Sequence, residues 1–167
     1  MRIAIAGATG LIGSQLTGLA RKEGHEVVEI ARQTGFDLTD PRTDRLEAAL
    51  AGVEAVVEVT STRGVLDEKA STDFFTVVAR NLGRAATAAG VKRTVVLSIV
   101  GIDRGTDYAY YRAKLAQERA IRSSTPGPLV LRATQFHEFP QQMFEWSREG
   151  DVTRIIDVPT QDRKSVV

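Results

Sequence analysis

Short runs of apolar, often β-branched residues alternate along the chain with longer stretches whose apolar positions recur every three or four residues. The short runs predict strands at Arg2–Ala6, Glu26–Ala31, Ala55–Thr60, Thr94–Ser98 and Leu129–Arg132, with a very short one at Phe36–Asp37. The longer stretches predict helices between them. Leu11–Glu23 is stopped by Gly24, and Asp40–Leu50 opens with Asp40 as a cap, has Pro41 in its first turn and Gly52 just past its end. Asp73–Ala89 carries Phe74, Val77, Val78 and Leu82 at helical spacing and is closed by Gly90. Tyr108–Arg122 ends before the breaker Ser123-Ser124-Thr125-Pro126-Gly127-Pro128, and Phe136–Arg148 reads as a further amphipathic stretch. Alternation of this kind is the signature of repeated βαβ units. The expected fold class is α/β, a doubly wound parallel sheet with helices on both faces.

Composition narrows the partners. The chain has 167 residues, the size of one domain, with 22 basic and 21 acidic residues and no run of like charge that would follow a phosphate backbone, so nucleic acid is not an expected partner. Without cysteine there is no disulfide, thiolate catalysis or Cys-ligated metal, and His25 and His137 lie too far apart for a local metal motif. The N-terminus runs straight into a strand without the order of a signal peptide, and no stretch approaches the length of a membrane span. A cytoplasmic protein with no membrane partner is expected.

The strongest local signal is Gly7-Ala8-Thr9-Gly10-Leu11-Ile12-Gly13, between the first strand and the first helix. Gly7 permits a tight turn off the strand, Gly10 lets a pyrophosphate approach the backbone, and Gly13 lets helix and sheet pack closely. Thr9, Leu11 and Ile12 complete a turn whose N–H groups and helix dipole face the phosphates. The placement makes the fold Rossmann-type and the ligand a dinucleotide. At the end of the second strand, where a carboxylate would take the ribose 2′-OH of NAD, the sequence has Arg32, a partner for a 2′-phosphate. NADP(H) is therefore favoured, with Glu29 nearby keeping NAD(H) open. Asp37 is placed either to accept from the adenine amino group or to serve a turn, and Thr60, at the end of its strand, is counted with the cofactor-binding residues.

With that turn, Arg32 and Asp37 in order, Val95-Val96-Leu97-Ser98 is followed by Tyr110-Tyr111-Arg112-Ala113-Lys114. Together these resemble the short-chain dehydrogenase/reductase superfamily, and more narrowly its atypical, NmrA-like branch, over roughly Met1 to Ile156. Tyr110 and Lys114, four residues apart, share one helix face. A neighbouring ammonium would favour the phenolate and lower the phenol's pKa, suiting Tyr110 to exchange a proton with a substrate oxygen. The resemblance further implies that Lys114 hydrogen-bonds the nicotinamide ribose. Ser98, at a strand's C-terminal end, is placed to hydrogen-bond a substrate carbonyl. An ordinary amphipathic helix face is the competing reading of Tyr110, Tyr111 and Lys114.

Two positions depart from the family pattern: Ile99 stands where a second hydroxyl is usual, and Ala133 where a proline follows Arg132. Thr134, Gln135 and His137 are expected near the substrate. Relatives of this type run on into a further strand and a small substrate lobe, and Asp162-Arg163-Lys164-Ser165-Val166-Val167 matches the in-frame reading of a common sequencing adapter. The expectation is therefore a dinucleotide domain at 1–161, incomplete at its C-terminus, with a non-native tail at 162–167. The implied function is an NAD(P)H-dependent oxidoreductase acting on a small carbonyl, quinone or alcohol, as a monomer or homodimer. A non-catalytic NADP(H)-binding redox sensor is the alternative. A sugar-nucleotide epimerase or dehydratase is disfavoured by Arg32 and by the missing lobe.

Overall fold

The computed structural model describes residues 1–62, 67–105, 107–134, 136, 148–149 and 152–153. Five strands, β1 (Arg2–Ala6), β2 (Glu26–Ile30), β3 (Ala55–Glu58), β4 (Arg93–Ile99) and β5 (Pro128–Ala133), form one parallel sheet in the order β2-β1-β3-β4-β5. Four helices accompany them: α1 (Leu11–Lys22), α2 (Asp44–Ala49), α3 (Glu68–Ala88) and α4 (Ala109–Ser124). Two short strands, β6 (Arg148–Glu149) and β7 (Val152–Thr153), pair antiparallel.

The strand order fixes where the helices go. From β1 the chain crosses outward to β2 through α1, and from β2 it returns past β1 to β3 and moves the opposite way through β4 and β5. Right-handed crossovers in opposite directions put α1 on one face and α2, α3 and α4 on the other. The packing agrees. Ala4, Ala6, Ile30 and Val56 point to the second face, where they meet Leu46 and Leu50 from the α2 region and Val78, Leu82, Ala85 and Ala86 of α3. Farther along, Val96 packs with Ala79, Ala120 and Ile121. The architecture is the Rossmann-type sheet that the alternating pattern implies.

Three expectations are corrected, and a fourth at its last residue. Phe36–Asp37 is not a strand: Asp37 Oδ1 accepts from Thr39 N at 2.9 Å and Thr39 Oγ1 at 2.7 Å, which folds the segment into a side-chain-stabilised turn. Asp40 caps no helix, because its carboxylate is taken by Arg42 N at 2.9 Å and by the Arg42 guanidinium, hydrogen bonds that lower its pKa to about 2. The helix begins only at Asp44. α3 starts at Glu68 instead of Asp73, capped by Asp67, whose side chain accepts from Ala70 N at 2.9 Å. Its fully buried ring is Phe75, with Phe74 at the margin. Within the expected Phe136–Arg148 helix, residues 137–147 lie outside the described residues, and Arg148 belongs to a strand. Among the described residues no helix is long and apolar enough to cross a membrane.

Candidate functional site

Because the chain leaves β1 and β3 in opposite directions, their C-terminal ends open a crevice between them, the place where open parallel sheets receive ligands. Three chain segments meet there. The first is the turn after β1. Gly7 has φ +90°, and a Cβ on it would stand 3.0 Å from Thr60 N and from Val59 C and O. A Cβ on Gly13 would fall 2.0 Å from Gly7 O, so α1 can approach the turn only with glycine at that position. Gly10 differs, since a Cβ there meets only Gly7 O, at 3.2 Å.

Gly10 opens α1 in extended conformation without a side-chain cap. The space its missing Cβ leaves, in front of uncapped N–H groups and a positive helix end, fits a pyrophosphate. Leu11 and Ile12 begin that helix, and Thr9 Oγ1 donates to Gln33 Oε1 at 2.7 Å, tying the turn to the segment after β2.

That segment is the second part. Ala31 follows β2 and leads into a 3-10 turn at Arg32–Thr34, locked by Ala31 N donating to Thr34 Oγ1 at 3.0 Å and by Thr34 Oγ1 donating to Glu29 O at 2.9 Å. Arg32 is exposed on it. Asp37 lies within its field, and the hydrogen bonds from Thr39, with a lesser pull from Arg32, hold the carboxyl below its ordinary value. Beside Asp37 a depression of about 410 Å³ lies between this stretch and α2, and Arg45 stacks over the Phe36 ring at 5.0 Å from its centroid. Glu29 is engaged by Arg21 at 2.6 Å.

The third part joins β3 to α4. Tyr110 OH lies 3.5 Å from Ser61 Oγ, one residue past the Thr60 amide that abuts Gly7, and the Tyr110 ring meets Phe75 edge-on at 6.0 Å. Burial pushes the Tyr110 phenol above its ordinary pKa, and the contact with Ser61 counters only part of that. Lys114 does share the helix face, yet its ammonium turns inward. Nζ donates to Leu97 O at 2.8 Å and to Gln117 Oε1, and it stands 4.9 Å from the centroid of the Phe75 ring. Burial lowers the Lys114 pKa against the pull of Glu58 and Glu118. The lowering of Tyr110 expected from a neighbouring ammonium is thus replaced by a rise from burial.

Ser98 ends inside as well. Its hydroxyl donates to Glu118 Oε1 at 2.6 Å, and Arg132 Nε and Nη2 reach the two oxygens of the same carboxylate at 3.0 Å each. Burial works to raise Glu118, but the hydrogen bonds from Arg132 and Ser98 overcome it and leave the pKa below the usual carboxylate value. Ser61, Gln33, Glu58 and Gln117 are site neighbours that sequence reasoning missed. Polar residues at strand ends and on helices carry no periodicity that marks them. Gln135 and His137 lie outside the described residues, and among those described no group of three His, Cys, Asp or Glu side chains could hold a metal ion.

A family model described as NAD(P)H-binding matches residues 7–162. Over 118 residues the chain is 34% identical to a 3-diazoavenalumate denitrifying reductase of a Streptomyces species, a match covering 59% of this chain and 38% of that protein. A short-chain dehydrogenase/reductase superfamily protein from Agrobacterium tumefaciens with bound NAD superposes with a TM-score of 0.63 at 23% identity, over 79% of this chain and 48% of the other. UDP-N-acetylglucosamine 4-epimerase from Bacillus cereus gives 0.65 at 22% identity, over 79% and 59%. These two structures share the fold, and the chain spans less than two thirds of the length of each of the three relatives.

Proposed function

The chain belongs to the NAD(P)H-binding family, and from that premise we propose that it is an oxidoreductase using NADP(H) in preference to NAD(H) on a small carbonyl, quinone or alcohol. The observation that carries the reading is the position of one phenol. Tyr110 OH sits beside Ser61, adjacent in sequence to the residue that packs on the phosphate turn, so a proton donor stands at the crevice that would hold the dinucleotide. The similarity to a reductase supports the reaction class.

In this reading Gly7, Thr9, Gly10, Leu11, Ile12 and Gly13 hold the pyrophosphate at the N-terminus of α1, Arg32 faces the 2′-phosphate, and Asp37 and Thr60 border the remaining nucleotide. When bound, the dinucleotide supplies the hydride. Tyr110 supplies the proton. A phenol kept above its ordinary pKa is protonated at neutral pH but is a weaker acid, so donation to a carbonyl oxygen during reduction rests on its position at the crevice and not on its acidity. The phenolate left behind accepts from Ser61 Oγ. Lys114 braces the face of α4 on which Tyr110 stands, and it reaches a ribose only by giving up Gln117 or Leu97 O. Ser98 reaches a substrate carbonyl only by giving up Glu118.

Those inward commitments favour a second reading, a protein that binds NADP(H) as a redox sensor without turning it over. Tyr110→Phe separates the two. With saturating NADPH and a panel of small carbonyls and quinones, the oxidoreductase reading expects turnover to fall by about 10²–10⁴-fold with NADPH affinity unchanged. Turnover by Tyr110→Phe equal to wild type, or none by either protein alongside tight NADPH binding, sinks the oxidoreductase reading.

A further inference from the structure

Alternation along β3 makes Val56 and Glu58 successive inward residues on the face covered by α3 and α4. Val56 meets the core as the pattern demands. At Glu58 the same pattern calls for an apolar residue, and the chain instead buries a carboxylate completely. Such a group is costly to keep where a hydrophobic one would serve the core at least as well, and rules of this kind are broken mainly at functional sites.

The contacts of Glu58 run in two directions. Oε1 accepts from Thr60 N at 2.8 Å and from Thr60 Oγ1, fixing the backbone that Gly7 packs against. Oε2 accepts from Gln117 Nε2, and the Gln117 carbonyl accepts from Lys114 Nζ. Gln117 and Lys114 are themselves buried in α4, and Lys114 stands over the ring that Tyr110 touches. One carboxylate therefore joins the wall of the phosphate turn to the helix carrying the phenol, through side chains that do not line the crevice.

We propose that Glu58 is a positioning residue that couples helix α4 to the phosphate turn, so that the hold of Gln117 on Glu58 sets how tightly the dinucleotide binds. The proposal rests on the dinucleotide-binding reading. Gln117 is buried, and among the described residues its hydrogen bonds lead to the turn through Glu58 and Thr60 without touching the turn itself. If Glu58 transmits, cutting the relay at Gln117 loosens Thr60.

The test is a double-mutant cycle on the full chain. NADPH affinity is measured by cofactor fluorescence, and folding by thermal melting, for wild type, Glu58→Gln, Gln117→Met and the double variant. Coupling predicts that Gln117→Met weakens NADPH binding roughly three- to tenfold, the size expected of residues in one network, and weakens it no further in the Glu58→Gln background. A role confined to the core lowers melting temperature while leaving the NADPH dissociation constant in place, or gives losses that multiply in the double variant. Either result overturns the proposal. Should Gln117→Met fail to fold, Thr60→Val replaces it with the same non-multiplying expectation against Glu58→Gln. Wild type that binds neither NADPH nor NADH removes the binding reading and this inference with it. Wild type that binds, with binding abolished in Gly10→Asp, keeps the reading and leaves the cycle to decide the coupling alone.

Discussion

Arg32 stands exposed on the 3-10 turn that follows β2, with Asp37 within its field. A guanidinium there pairs with a 2′-phosphate in two parallel hydrogen bonds, whereas a carboxylate repels it and accepts from a 2′-hydroxyl. Arg32→Glu is therefore expected to weaken NADPH on the order of tenfold to a hundredfold, the worth of a hydrogen bond to a charged group, and to improve NADH. Paired titrations with the two nucleotides check it, and an unchanged ratio of affinities would remove Arg32 from the site. At this scale the sequence is most legible where geometry leaves one residue type standing. Gly7 needs a positive φ and Gly13 has no room for a Cβ, so both are written as glycine. Glu58, Ser61 and Gln33 are the opposite case. Their importance comes from partners distant in the chain, Gln117 for Glu58, Tyr110 for Ser61 and Thr9 for Gln33, and no local pattern announces such a pairing.

Elements follow the same division. The strands β1, β4 and β5 and the helices α1 and α4 lie within a residue or two of their expected limits, because apolar strand runs and amphipathic helices repeat their pattern over several residues. The first turn of α3 was hidden. Glu68-Lys69-Ala70-Ser71 gives no apolar stripe, and only the cap Asp67 marks the start. Asp67 also holds the end of the helix that carries Phe75, the ring shared by Tyr110 and Lys114. Asp67→Ala removes the acceptor for Ala70 N and is expected to cost about 1 kcal/mol of stability. Denaturant unfolding measures that cost directly, and a loss below a few tenths of a kcal/mol would mean that other contacts hold the turn.

For the whole molecule, the bond between α4 and β5 contributes a stability that depends on pH. Glu118 is buried and bound by Arg132 and Ser98, so its folded pKa lies below the value it has in the unfolded chain. A depressed carboxylate stabilises the fold above its unfolded pKa, and that contribution fades as pH falls through the folded value. Melting temperature should thus drop as pH is lowered below the ordinary glutamate value of 4.5. Glu118→Gln should be less stable at neutral pH by about 1.5–3 kcal/mol, the range for hydrogen bonds to a charged group, and should have a flatter acid limb. Parallel acid limbs in the two proteins would show that other carboxylates set the limit.

The order of the strands has a consequence for how the molecule is made. Of the five strands β1 is synthesised before the others and lies inside the sheet, with β2 on one side and β3 on the other. Each later strand then joins the outer edge of the one before it, β4 on β3 and β5 on β4, so no strand has to be inserted between two that are already paired. As the chain leaves the ribosome the sheet can therefore grow outward in the order of translation. The residues of the turn after β1 and of its wall at Thr60 are translated before the helix bearing Tyr110, and Gln117 of that helix closes on Glu58 afterwards. If the proposed function holds, a nascent chain carries its nucleotide cradle before it carries its proton donor.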